Sequence, residues 1–137
     1  MKYCCITIGV FIVLSCGTKE FHSGGFNSYP PRIVVIDRPD VREIQIPVEI
    51  EKKNGKVSFI EIFRYYGFSG NGPSIEQVVR YNIRNLKAEY DSEGDCFRVM
   101  FSGKEDLDRY HDLLKTVLTE YGLHRWVYNA RGITFKE

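Results

Sequence analysis

The stretch VREIQIPVEIEKKNGKVSFIEIFRYY, residues 41–66, decides how this chain folds. Its first half alternates: Ile44, Ile46, Val48 and Ile50 fall on one side and Glu43, Gln45, Pro47 and Glu49 on the other, the period of two of a half-buried strand. Pro47 sits in the polar row and cannot donate to a ladder, which points to an edge or a bulge. Asn54-Gly55 comes next, a dipeptide suited to two-residue hairpin turns because both central residues there take positive φ. The pattern predicts a strand over 41–53, a turn, and a strand over 56–66 returning antiparallel. A two-residue turn would set Ile50 opposite Phe59, Ile46 opposite Phe63 and Ile44 opposite Tyr65. It also sets Glu61 opposite Val48, either as a buried carboxyl with a raised pKa or, in a shifted register, at a wet rim.

Downstream, residues 67–73 are rich in glycine and lead to a helix expected over 74–86. Ser74 and Gln77 can form a capping box there, and Ile75, Val78, Val79, Asn82, Ile83 and Leu86 share one face. Residues 86–91 and 95–102 alternate on either side of Ser92-Glu93-Gly94 and read as a second hairpin. Ser102 and Glu105 signal a second capping box, opening a helix over 104–121 that stops at Gly122. Residues 123–128 read as a strand, and 133–135 as a last short one. Upstream, Ile33-Val34-Val35-Ile36 is a β-branched run ended by Asp37-Arg38-Pro39-Asp40. The predicted class is α+β, an antiparallel sheet with two helices on one face, in the order β-β-β-α-β-β-α-β. From residue 56 onward this order resembles the ferredoxin-like motif. The Asn54-Gly55 hairpin adds a partner to a strand that has two already in that motif, so a variant with extra N-terminal strands is expected.

The N-terminus carries a different signal. Lys2 precedes the uncharged, mostly apolar residues 4–14, and Ser15 and Cys16 come after them, in the order of a secretory signal sequence. Eleven residues rise only about 16 Å as a helix, roughly half a bilayer core. Val13-Leu14-Ser15-Cys16 resembles the lipobox of bacterial lipoproteins, with Val13 where Leu is commoner and Leu14 where a smaller residue is commoner. The resemblance spans the first sixteen to twenty residues. It implies diacylglyceryl transfer to the Cys16 thiol, removal of residues 1–15 and attachment to a membrane through lipid. Gly17, where inner-membrane lipoproteins often have Asp, implies the outer membrane. An ordinary signal sequence cut nearby, or an apolar N-terminal anchor, is the alternative.

This processing would leave residues 16–31 as lipidated cysteine and tether, with Gly, Ser, Asn and two prolines breaking any periodicity, and 32–137 as a single domain. The chain has 19 Lys and Arg against 18 Asp and Glu, and loss of Lys2 makes the signs equal. Nothing in that balance suits a nucleic-acid partner. Of four cysteines, Cys4 and Cys5 would be removed and Cys16 acylated, so that Cys96 alone remains and no internal disulfide is possible.

Catalytic motifs are not evident. His22, His111 and His124 lack metal-ligand spacing, Cys96 has no His or acidic constellation beside it, and no cofactor is expected. The candidate binding set is Tyr65, Tyr66, Phe68, Trp126 and Tyr128, since tyrosine and tryptophan give rigid amphipathic contact area; each can equally serve the core. The alternative set is Gly70, Gly72 and Ser74, whose backbone N–H groups could meet an anion at a helix N-terminus, with Arg80 or Arg64 adding charge. That loop matches neither the dinucleotide fingerprint nor the P-loop. The sequence therefore points to an envelope module binding a protein or glycan. The alternative is a small envelope enzyme acting on an anionic substrate at residues 67–72.

Overall fold

The computed structural model describes residues 27–132. The expected signal sequence, Cys16, His22 and the strand expected at 133–135 lie outside the described residues. In chain order the elements are β1 (Ser28–Tyr29), β2 (Val34–Asp37), β3 (Arg42–Pro47), β4 (Val57–Ser58), α1 (Ile60–Tyr65) and α2 (Gly72–Asn82). They continue with β5 (Glu89–Tyr90), β6 (Cys96–Met100), α3 (Lys104–Val117) and α4 (Glu120–Ala130).

The class is α+β, as the patterning requires. Strands β2, β3, β6 and β5 lie side by side in an antiparallel sheet, with Ile44 opposite Val99 and Ile46 opposite Phe97. Those four side chains are fully buried under the helices, whereas Glu43, Gln45, Arg98 and Met100 on the other face are only half-buried. Helices α2 and α3 pack on the sheet, and α4 packs on α1, α2 and α3. Strands β3 and β5 run parallel with β6 between them, a split β-α-β unit crossing through α1 and α2. The other side of β3 is taken by β2. The variant thus arises because an N-terminal strand holds the edge that the motif gives to a C-terminal one.

The largest correction falls on residues 56–66. Asn54 (φ 50°) and Gly55 (φ 75°) do form the expected tight turn, closed by reciprocal bonds between Lys53 and Lys56. Beyond it only Val57–Ser58 is extended, and β4 pairs parallel with β1 instead of returning along β3. Residues 60–65 are helical. The reason is burial: Phe59, Ile60, Ile62 and Phe63 are each at most 1% exposed, and their spacing i, i+1, i+3, i+4 is one face of a helix. As a strand the segment would turn Ile60 and Ile62 away from Phe59 and Phe63, forfeiting about 1.5–3 kcal/mol for each exposed isoleucine. Ser58 Oγ accepts the Ile60 N–H at 3.1 Å and so serves the helix start. Glu61, for which the sequence left a buried site and a wet rim both open, lies on the outer side of α1 with Arg64 Nη1 2.7 Å away.

Residues 123–128, expected as a strand, are the middle of α4. Leu123, Val127 and Ala130 are buried at i, i+4 and i+7, again a helical spacing. Helix α3 ends at Val117, and Thr119 restarts the chain, its Oγ1 accepting the Gly122 N–H at 3.1 Å. Gly122 is therefore inside α4 and not a terminator. A Cβ there would lie 2.3 Å from the Val117 carbonyl oxygen, so glycine lets the two helices meet at a sharp corner.

Helix α2 starts at Gly72, capped by Asn71 and not Ser74, and ends at Asn82 instead of residue 86. No side chain caps α3, which begins after Gly103, so the Ser102–Glu105 box does not form. The final part of the expected tether belongs to the fold. Ser28 and Pro31 are buried, and Tyr29 Oη donates to the Glu51 carbonyl at 2.7 Å.

Candidate functional site

Helix α1 ends in Tyr65 and is followed by Tyr66, which the helical path of the chain carries against α4. The Tyr66 ring meets Tyr65 edge-on at 5.0 Å, Tyr128 at 5.9 Å and His124 at 5.8 Å, all near-perpendicular. Its hydroxyl lies 3.1 Å from His124 Nδ1. Edge-to-face contacts of this kind suit the ring quadrupoles and hold each ring at a fixed angle. His124 and Tyr128 are i and i+4 on α4, so they occupy one side of it. Trp126 is two residues from each, about 200° around the helix, and cannot join them.

Three of the five aromatic candidates therefore come together and two do not. Trp126 is half-buried and lines a small apolar void with Pro31, Phe59, Phe63 and Leu123, while its carbonyl accepts from Asn82 Nδ2 at 3.2 Å. That void, about 10 Å³, is the size of one water at most. Phe68 packs edge-on against Phe63 at 6.3 Å, with which it supports the core. Tyr65 is 45% exposed and stands beside the Glu61–Arg64 ion pair. The Arg131 guanidinium lies 3.2 Å from the Tyr128 ring centroid, a cation–π contact. The group combines ring edges and hydroxyls with the flanking Arg64 and Arg131 guanidinium groups, and its His124 is buried. His124 was the member that sequence reading missed. Its helical spacing from Tyr128 was the available signal, hidden by reading 123–128 as a strand.

The alternative set does not converge. The Gly72 N–H donates to the Gly94 carbonyl at 3.2 Å, Pro73 has no N–H, the Ser74 N–H goes to Asn71 Oδ1 at 2.9 Å, and the Ile75 N–H goes to the Asn71 carbonyl. The amides of Gly72, Ser74 and Ile75 are thus already bonded within the chain. Gly70 is buried with φ 75°, and a Cβ there would lie 2.5 Å from Ile60 Cγ2. Arg80 pairs with Glu76 at 3.1 Å and covers the Tyr90 ring, and it stands about 12 Å along α2 from Gly72. Arg64 is held by Glu61.

Cys96 lies half-buried on the outer sheet face. Burial raises its thiol pKa, only partly offset by Arg98, and Sγ donates to the Phe97 carbonyl at 3.3 Å. Such a thiol is poorly ionised at neutral pH and weakly nucleophilic. His111 is half-buried on α3. Among the described residues no group of three His, Cys, Asp or Glu side chains is placed to hold a metal ion, and no helix is long and apolar enough to cross a membrane. No family model matches the chain, and no solved structure matches it.

Proposed function

We propose that this protein is a lipid-anchored component of the bacterial cell envelope, retained at the outer membrane, whose α+β domain binds a protein or glycan. The observation that carries the reading is the order of Lys2, the uncharged residues 4–14, Ser15 and Cys16. A charged start, a short apolar run and a small residue before cysteine is what lipoprotein export and acylation require. Two or three acyl chains on Cys16 give stable attachment where one alone binds reversibly.

The tyrosine group at the α1–α4 junction supports the binding half of the proposal. Tyr65 presents an exposed ring, and its contact with Tyr66 fixes the orientation before any partner arrives, so little side-chain entropy is lost on contact. The bonded amides of Gly72 and Ser74 leave the anion-processing alternative without support. Cys16→Ala tests the anchor: the native chain is expected in the detergent-rich phase of a phase-partitioning assay and the variant in the aqueous phase or as unprocessed precursor. Equal partitioning of a processed Cys16→Ala chain would contradict the proposal. For the binding surface, a photo-crosslinking residue at position 65 is expected to give a discrete adduct on intact cells. The same residue at the exposed position 113 serves as control, and equal adducts at both sites would remove Tyr65 from the site.

A further inference from the structure

The chain enters the domain beside the Asn54-Gly55 turn. The Asn27 carbonyl accepts the Val57 N–H at 3.0 Å, Ser28 pairs with Val57, and Lys53 Nζ sits 5.0 Å from the centroid of the Tyr29 ring. The turn itself is closed by Lys53 N–H to the Lys56 carbonyl at 3.0 Å and Lys56 N–H to the Lys53 carbonyl at 2.9 Å. Entry point and turn therefore share one end of the molecule. Only residues 17–26 separate Cys16 from Asn27, and whatever their conformation they span at most about 40 Å. That is little more than the width of a domain of this size. A lipid on Cys16 would keep this end of the domain near the bilayer.

The same end has an unusual surface. Ile50 is 61% exposed, more than any other large apolar side chain among the described residues. Lys52, Lys53 and Lys56 are all exposed around it. Glu49 is engaged by Lys53 and by Arg32, the latter at 3.3 Å, and these two cations hold its carboxyl below its usual pKa. Lys52 and Lys56 form no ion pair among the described residues, leaving Glu51 as the nearby acid without one. An exposed isoleucine flanked by lysines on a narrow turn can seat its side chain at the headgroup boundary while the ammonium groups meet lipid phosphates.

We infer that residues 50–56 are a docking tip for an anionic bilayer surface, an assignment that rests on the lipid anchor at Cys16. The short reach from Cys16 and the sign of the charge both select this occupant. Docking at the tip would give the domain one orientation on its membrane, with the hairpin end facing the lipid.

The test uses the full lipidated chain, purified in detergent and reconstituted on phosphatidylcholine vesicles with or without phosphatidylglycerol. Lysines are acetylated and read by mass spectrometry, with Lys115 on α3 as reference. Lys52, Lys53 and Lys56 are expected to react about fivefold more slowly on the anionic vesicles, the effect losing most of its size in 1 M salt, while Lys115 is unchanged. A Lys52→Glu, Lys56→Glu double variant should still pellet with vesicles yet lose the protection of Lys53. Equal labelling on both vesicle types, or equal protection of Lys115, would overturn the docking tip. Pelleting with neutral vesicles reads the anchor by itself: a chain that pellets with unprotected lysines refutes the tip alone. A chain that fails to pellet refutes the anchor and the tip together.

Discussion

Two of the tight turns among the described residues, Asn54-Gly55 and Gly94-Asp95, the latter two residues beyond the start of the turn expected at Ser92-Glu93-Gly94, close in the same way and lead to different structures. Each is sealed by a reciprocal pair of backbone bonds, between Lys53 and Lys56 in one case and Glu93 and Cys96 in the other. At the second turn the flanks continue as β5 and β6 of the sheet. Two more bonds hold it in place, from the Gly72 N–H to the Gly94 carbonyl and from the Val48 N–H to the Asp95 carbonyl at 2.8 Å. At the first turn the flanks part after a single bridge, and the chain folds into α1 within three residues. Turn chemistry fixes two or three residues. The path of the chain beyond them depends on which local geometry buries the neighbouring apolar side chains.

The largest test of that contrast lies where the second turn meets α2. A Cβ on Gly72 would stand 1.9 Å from the Glu93 carbonyl oxygen and 2.3 Å from that of Cys96, both rigid backbone. Gly72→Ala should therefore cost more than about 3 kcal/mol, read as a fall in the urea midpoint, or prevent folding. Little change would mean that α2 does not press on the turn. Next comes Ile62→Ala, expected to cost about 3 kcal/mol because Ile62 is fully buried on α1. A strand at 56–66 would leave this residue on the outer side and make the same change nearly neutral.

A matched pair then compares the turns directly. Gly55 has φ 75°, so Gly55→Ala should cost about 1 kcal/mol although nothing crowds the site. Gly94 is equally uncrowded and does not share that backbone conformation, so Gly94→Ala should stay within about 0.5 kcal/mol of the native chain. The smallest effect is alkaline. Beneath the second hairpin, Tyr90 and Tyr110 hydroxyls lie 3.0 Å apart, and burial raises both pKa values. The folded state then keeps protons that the unfolded chain releases near pH 10, so stability is full below about pH 10 and declines above it. Tyr110→Phe should lower stability at neutral pH and flatten that alkaline decline, tracked by circular dichroism against pH.

The contrast also explains which parts were legible in the sequence. Residues 96–101 alternate without a competing period, since Phe97, Val99 and Phe101 are separated by polar or less apolar neighbours, and they lead directly to the hairpin and the sheet. Residues 59–66 satisfy two periods at once. Phe59, Phe63 and Tyr65 can be read as a strand row, but that row admits Glu61 and strands Ile60 and Ile62 on the outer side. The misplaced carboxylate marked the weaker reading. In 123–128 the same ambiguity hid the i, i+4 pair of His124 and Tyr128. The candidate surface was therefore half legible: Tyr65, Tyr66 and Tyr128 gather, Trp126 and Phe68 serve the core, and His124 joins the three tyrosines through its contact with Tyr66.

Sheet and helices supply a rigid body, and the proposal of a lipid-anchored envelope module depends most on what happens at Cys16. The direct measurement is mass spectrometry of the tryptic N-terminal peptide from the chain isolated from bacterial membranes. Processing and acylation predict the peptide CGTK, residues 16–19, carrying a diacylglyceryl group on Cys16 with or without a third acyl chain. Recovery of residues 3–19 as one unmodified peptide, or of an unacylated new N-terminus elsewhere, would contradict the account.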